Sequence, residues 1–105
     1  MKHITVEELK IKMEDGIKMH LLDVRELSEY EEFNIGGIHI PLGKIQSFQI
    51  EDIDEFKDDE IIIHCRSGIR SVTAALFLEM QGFKNVSNLL GGLVAWQEKF
   101  GNTFS

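Results

Sequence analysis

A lone cysteine in 105 residues has no partner for an internal disulfide, so the chain is not a small secreted scaffold stapled by bridges. A reducing compartment is the expected setting. Basic residues are also scarce: 11 Lys and Arg stand against 18 Asp and Glu, for a formal net charge of -7. Phosphate neutralisation needs clustered cations, which argues against a general nucleic-acid or anionic-membrane binder. No apolar run approaches membrane-spanning length, and Met1-Lys2-His3-Ile4-Thr5-Val6-Glu7-Glu8 lacks the basic-then-apolar pattern of a signal peptide. A cytoplasmic location is therefore expected. Internal repeats and low-complexity linkers are absent too, and the length suits one core rather than two, giving a single domain over residues 1–105.

What is present alternates. Thr5 and Glu8 form a capping box, Ile4 and Leu9 are placed to staple it, and Val6, Leu9 and Met13 recur at helical spacing up to Gly16, predicting a first helix. Met19 to Val24 reads as a strand, followed by a short helix capped by Ser28 and Glu31 and carrying Tyr30 and Phe33. Ile38-His39-Ile40, between Gly36-Gly37 and Pro41, is a third strand if a short one near Ile4 is counted. In the acidic segment from Ile50 to Glu60, Ile50, Ile53 and Phe56 fall at intervals of three, placing one face of a short helix on the core. Ile61-Ile62-Ile63 reads as a central strand covered on both faces. Ser71 to Gln81 is apolar almost all round, predicting a buried helix closed by Gly82. Val86 to Leu90 is the last strand, Gly91-Gly92 a tight turn, and Leu93 to Phe100 a closing helix before a polar tail.

This alternation implies an α/β domain with a mainly parallel sheet of about five strands and helices on both faces. Ligands of such sheets bind beyond the carboxyl ends of the strands, where Cys65 and the group Asp23-Val24-Arg25-Glu26 both fall.

The stretch Cys65-Arg66-Ser67-Gly68-Ile69-Arg70 joins a buried strand to a helix, so its backbone N–H groups include the unsatisfied donors of the helix start. Such a loop curls around an anion. A thiolate there is stabilised by the helix dipole, the amides and nearby guanidinium groups, which lower a cysteine pKa and make a nucleophile. A free cysteine is more often a small buried hydrophobe. Here Arg66 and Arg70 lie at the positive end of the following helix, where a cation is disfavoured by roughly 0.3 to 1 kcal/mol without an anion partner. The reactive role is therefore the expected one.

His64 neighbours the cysteine on a strand, so its imidazole points to the opposite face and its role is structural. His3, His20 and His39 lack metal-ligand spacing, and no metal is expected. Asp23 and Arg25 are placed to orient the active loop, with Asp23 reaching Arg66 or Arg70; Trp96, among Leu93 and Phe100, is expected in the core. The acidic run Glu51 to Glu60 reads as a solvated face.

The loop Cys65 to Arg70 resembles the six-residue active loop of rhodanese-like sulfurtransferases, led by cysteine with glycine fourth and arginine sixth. Leu22-Asp23-Val24-Arg25 with Glu29-Tyr30 resembles that family's amino-terminal signature. Gly82-Phe83 through Asn85-Val86, Leu89, Gly91-Gly92 and Ala95-Trp96 resembles the carboxyl-terminal one. One stretch departs: where the family commonly has Gly-His-Ile-Pro-Gly-Ala, this chain reads Phe33-Asn34-Ile35-Gly36-Gly37-Ile38, one residue shorter and without the histidine. The loop is also similar to the cysteine-dependent phosphatase signature, but one residue short between cysteine and arginine.

The resemblance implies a single rhodanese-like domain, three layers in α/β/α order, and a sulfurtransferase in which Cys65 is catalytic and Arg66, Ser67, Gly68, Ile69 and Arg70 bind the substrate. The implied partners are a small anionic sulfur donor such as thiosulfate, or a persulfide-bearing protein, and a thiol or cyanide acceptor. No organic cofactor is implied. A relay carrier between a cysteine desulfurase and a biosynthetic enzyme is the alternative within the same chemistry. A cysteine-dependent phosphatase and a non-catalytic binding module are the rivals outside it.

Overall fold

A computed structural model describes residues 1–102; the polar tail and the end of the 1–105 domain, residues 103–105, lie outside the described residues. The Thr5–Glu8 capping box forms as its chemistry requires, each side chain accepting from the other's backbone N–H, and it opens helix α1 (Val6–Glu14). Five strands make one parallel sheet: β1 (Lys2–Ile4), β2 (His20–Asp23), β3 (Ile38–His39), β4 (Glu60–His64) and β5 (Asn85–Leu89), in the order β1-β5-β4-β2-β3.

The central strand is β4, paired with β2 on one side and β5 on the other. Its isoleucines explain that position. Ile61 and Ile63 enter a core cluster with Ile45, Ala74 and Leu78, whereas Ile62 enters a second cluster with Leu9, Leu89 and Trp96. Alternate side chains of one strand thus anchor opposite layers, so the run is apolar without interruption. The first cluster packs against α3 (Leu42–Gln46) and α4 (Ile69–Met80), the second against α1 and α5 (Gly92–Phe100). The architecture is the expected three-layer α/β arrangement.

Three local expectations are corrected, and one short helix joins the expected elements. Helix α2 (Leu27–Glu32) is capped by Glu26 with Glu29 rather than Ser28 with Glu31, because Ser28 already lies in the first turn; Phe33 is extended and ends the helix. Spacing by three in the acidic segment reflects a single 3-10 turn, Asp54–Phe56, whose side chains eclipse at that interval, and Ile50 and Ile53 still reach the core. The short helix α3 gave no periodic signal over five residues. Finally, α4 is apolar all round yet not buried all round: Ser71, Ala74, Ala75 and Leu78 face inward, while Ile69, Leu76 and Met80 face solvent.

Candidate active site

β4 ends at His64, and the chain turns within four residues into α4, so Cys65 stands at the carboxyl edge of the sheet where the first amides of the helix gather. Its Sγ accepts from the N–H of Gly68 at 3.1 Å and from the N–H of Ser71 at 3.4 Å, and lies 3.5 Å from the Ser71 hydroxyl. Gly68 adopts φ 100°, which folds the loop back so that its own N–H faces the sulfur. Burial pushes the thiol pKa up, but the Ser71 hydroxyl and the amides of Ser71, Gly68 and Ser67 together outweigh it. The net result is a thiol more acidic than an ordinary cysteine. Cys65 itself is 1% exposed, at the floor of the cradle.

The Ser71 hydroxyl has one proton, and in the structure it donates to the buried Asn88 Oδ1, leaving the thiol to donate to Ser71. Once the thiol ionises, that proton must turn toward sulfur. Asn88 continues through its Nδ2 to His3 Nδ1 at 3.4 Å. Neither Ser71 nor Asn88 was legible as part of the site. Ser71 reads as a helix residue, and Asn88 as an interruption in a strand.

The loop is held from outside by α5. The N–H groups of Leu93 and Val94, free donors at that helix start, bond the carbonyls of Cys65 and Arg66, each at 2.9 Å. Turning these carbonyls outward leaves the loop amides facing in. Gly92 permits the approach: a Cβ there would stand 2.5 Å from the Cys65 carbonyl oxygen and 2.6 Å from that of Arg66. Gly91-Gly92 had been expected only as a tight turn.

The arginines separate. Arg70 forms a two-point pair with Glu29, at 2.7 and 2.9 Å, so the anion that its place at the helix start demands is a carboxylate of the protein itself. Arg66 is exposed and, among the described residues, has no ion pair. Ser67 and Ile69 are exposed as well. The expected bond from Asp23 to Arg66 or Arg70 is absent. Asp23 is fully buried and pairs with Arg25, Nη2 to Oδ2 at 2.7 Å, and Arg25 also donates to the Phe33 carbonyl. The short Asp-x-Arg spacing lets the pair close on itself, bracing the end of β2 against the segment after α2 rather than against the loop.

His64 is fully buried, 3.9 Å from Asp23, with no hydrogen-bond partner at either ring nitrogen. Burial lowers its pKa to about 4, against the pull of Asp23, so the ring is neutral and structural. His20 pairs with Asp59 and His39 with the Arg25 carbonyl. Trp96 is core, edge-on to Phe100. Beside the loop opens a cleft of about 190 Å³ bounded by Arg25, Glu29, Phe33, Arg66, Leu93 and Gln97. It offers both charge signs to a small polar substrate.

The model of the rhodanese-like domain family matches residues 5–99. The chain is 41% identical over 98 residues to the putative sulfurtransferase YtwF of Bacillus subtilis, covering 92% of this chain and 91% of that one. It is also 41% identical over 97 residues to the putative sulfur carrier protein YrkF of the same organism, covering 91% of this chain but only 51% of that longer protein. Among solved structures, a rhodanese-like domain protein from Staphylococcus aureus superposes with a TM-score of 0.81 at 31% identity, covering 91% of both chains. A family match over nearly the whole chain, relatives at 41% identity and a solved fold that superposes closely all agree, and the protein belongs to the rhodanese-like domain family.

Proposed function

We propose that the protein is a sulfurtransferase that carries sulfane sulfur on Cys65. The carrying observation is the Sγ held by the N–H groups of Gly68 and Ser71 at the start of α4, in surroundings that favour the thiolate. The thiolate attacks the outer sulfur of thiosulfate, the sulfur–sulfur bond breaks, and sulfite leaves with the electron pair. The terminal sulfur of the resulting persulfide inherits the amide cradle, with Arg66 and the loop amides of Ser67 and Gly68 drawing in the anionic donor. An acceptor thiolate then attacks that terminal sulfur, and Cys65 departs as a thiolate ready for the next cycle. The two half-reactions give ping-pong kinetics and need neither an organic cofactor nor a metal. A reducing compartment such as the cytoplasm suits a lone thiol of this kind.

A second donor class, a persulfide on another protein, fits the same chemistry, and the likeness to a protein named a putative sulfur carrier favours it over phosphate transfer. A loop one residue short between Cys65 and Arg70 suits one sulfur better than a tetrahedral phosphate. The intact cysteine with its arginines counts against a non-catalytic module.

The test is direct. The protein is incubated with thiosulfate, freed of excess and weighed intact, with and without reductant. A reducible gain of one sulfur, absent in Cys65→Ser, supports the assignment. No adduct, together with Cys65-dependent hydrolysis of an aryl phosphate, replaces it with a phosphatase.

A further inference from the structure

Helices α3 and α4 end in the same backbone motif with different residues at one position. At α4, Gly82 N–H bonds Glu79 and Phe83 N–H bonds Leu78; at α3, Phe48 N–H bonds Ile45 and Gln49 N–H bonds Lys44. The motif needs a left-handed residue at its hinge, which glycine supplies freely. Gly82 has φ 96°, but the α3 hinge is Phe48 at φ 60°, the one residue other than glycine in that region among those described. Its ring does not repay the strain by burial: Phe48 is 50% exposed and touches Phe77 with ring centres 6.1 Å apart. Strain kept for a half-exposed aromatic points outside the fold.

Phe48 adjoins a second anomaly. Ile69, Thr73, Leu76 and Met80 follow one another at i, i+4, i+7 and i+11, a single stripe about 16 Å long on the outward face of α4. Exposed helix faces are ordinarily polar, yet Ile69 is 75% exposed, Leu76 50% and Met80 72%. Ile69 belongs to the active loop, so the stripe begins beside the Cys65 cradle. At its other end Phe48 lines a cleft with Glu51, Asp54 and Gln81, an acidic rim.

We propose that this band is the docking surface of a protein partner that exchanges sulfur with Cys65 and presents an apolar helix face flanked by lysine or arginine. The exchange rests on the sulfurtransferase reading; the docking does not. A second copy of this chain is disfavoured as occupant, because two chains of net charge -7 repel one another. A basic-rimmed partner gains on both counts, and seated along α4 it brings its end to the loop.

The test uses three labelled helical peptides ending in cysteine: one with leucines on one face flanked by lysines, one with those leucines replaced by serine, and one with the lysines replaced by glutamate. Fluorescence anisotropy at fixed ionic strength is expected to show the first binding about ten-fold more tightly than either control, through burial of one or two leucines against the serine peptide and through charge reversal at the acidic rim against the glutamate peptide. Phe48→Gly and the double variant Leu76→Ser with Met80→Ser are each expected to erase that preference. Both should pass sulfur from thiosulfate-loaded Cys65 to dithiothreitol at the wild-type rate, and Phe48→Gly should melt no lower than wild type. Equal binding of all three peptides overturns the proposal, as does undiminished binding by both variants. A wild-type dimer in sedimentation that the double variant dissociates also overturns it, in favour of a second copy. Selective binding with no sulfur reaching either the peptide cysteine or dithiothreitol sinks the sulfurtransferase reading and leaves the docking surface standing; sulfur that reaches dithiothreitol but never the bound peptide overturns the exchange at this surface.

Discussion

Arg70 and Glu29 meet end-on across the rim of the loop, Nη1 to Oε1 at 2.7 Å and Nη2 to Oε2 at 2.9 Å, tying α4 to α2. The Arg70 hydrogen bonds, against burial, lower the Glu29 carboxyl to about 2. A lowered carboxyl stabilises the fold above its unfolded value near 4.5 and loses that contribution as pH falls toward 2. Glu29→Gln is expected to free the Arg70 charge and lower the KM for thiosulfate, whereas Arg70→Ala strands a carboxylate at the rim and raises it. Each change should be about five-fold, near 1 kcal/mol, because the two side chains are 33% and 27% exposed and water screens them. Initial rates decide this, and a Glu29→Gln KM equal to wild type contradicts it.

Alkylation of Cys65 by iodoacetamide, followed against pH, should show a midpoint below that of free cysteine. Ser71→Ala is expected to raise the midpoint and slow alkylation several-fold at neutral pH. The partner of Ser71 separates two outcomes. Asn88→Asp grips the hydroxyl proton more firmly and should slow the reaction, while Asn88→Ala releases that proton to sulfur and should not. The reverse order would show that Ser71 does not serve the thiolate. The lowered thiol also stabilises the fold above its own pKa, a contribution lost as pH falls through it and missing in Cys65→Ala.

Acid should weaken the fold in a second, separate window. Burial holds His64 neutral down to about 4, whereas the unfolded chain takes up its proton near 6.5, so stability falls as pH drops between those values. The loss is about 3 kcal/mol over that window. Denaturant melts of His64→Leu should flatten this slope while leaving the Glu29 window below it. With no hydrogen bond to lose, that variant should match or exceed wild-type stability at neutral pH. An unchanged slope would assign the acid sensitivity elsewhere.

Gly92→Ala should cost both stability and activity. The added methyl meets two backbone carbonyl oxygens, at 2.5 and 2.6 Å, and neither is a flexible side-chain end that could swing away. Overpacking of this kind costs about 1 to 3 kcal/mol. Thermal melts and the alkylation assay measure the two effects together. Normal alkylation in a destabilised protein would separate the clamp from the nucleophile.

The layers of this fold were legible because each rests on a local signal: the Thr5–Glu8 box, the unbroken Ile61 to Ile63 run, and Gly82 after α4. The loop was legible for the same reason, its cysteine, glycine and arginines lying within six residues. What escaped were contacts between residues far apart in the chain. Glu29 reaches Arg70 across 41 positions, and Asn88 reaches Ser71 across 17. No periodicity encodes such pairings, so Asp23 was matched to distant arginines although Arg25, two residues away, fits it better. The outward face of α4 failed differently: apolar composition states that a helix shuns water, and packing alone decides which side obtains its wish.

The clamp from α5 means that the loop is not a portable cassette. Copying six residues onto another strand-to-helix junction would transplant the cysteine and leave behind the two amides, Leu93 and Val94, that turn the loop carbonyls away from it. An engineer seeking the same reactivity elsewhere must import a second helix beginning at the same spot, with a residue lacking a side chain where the backbones touch.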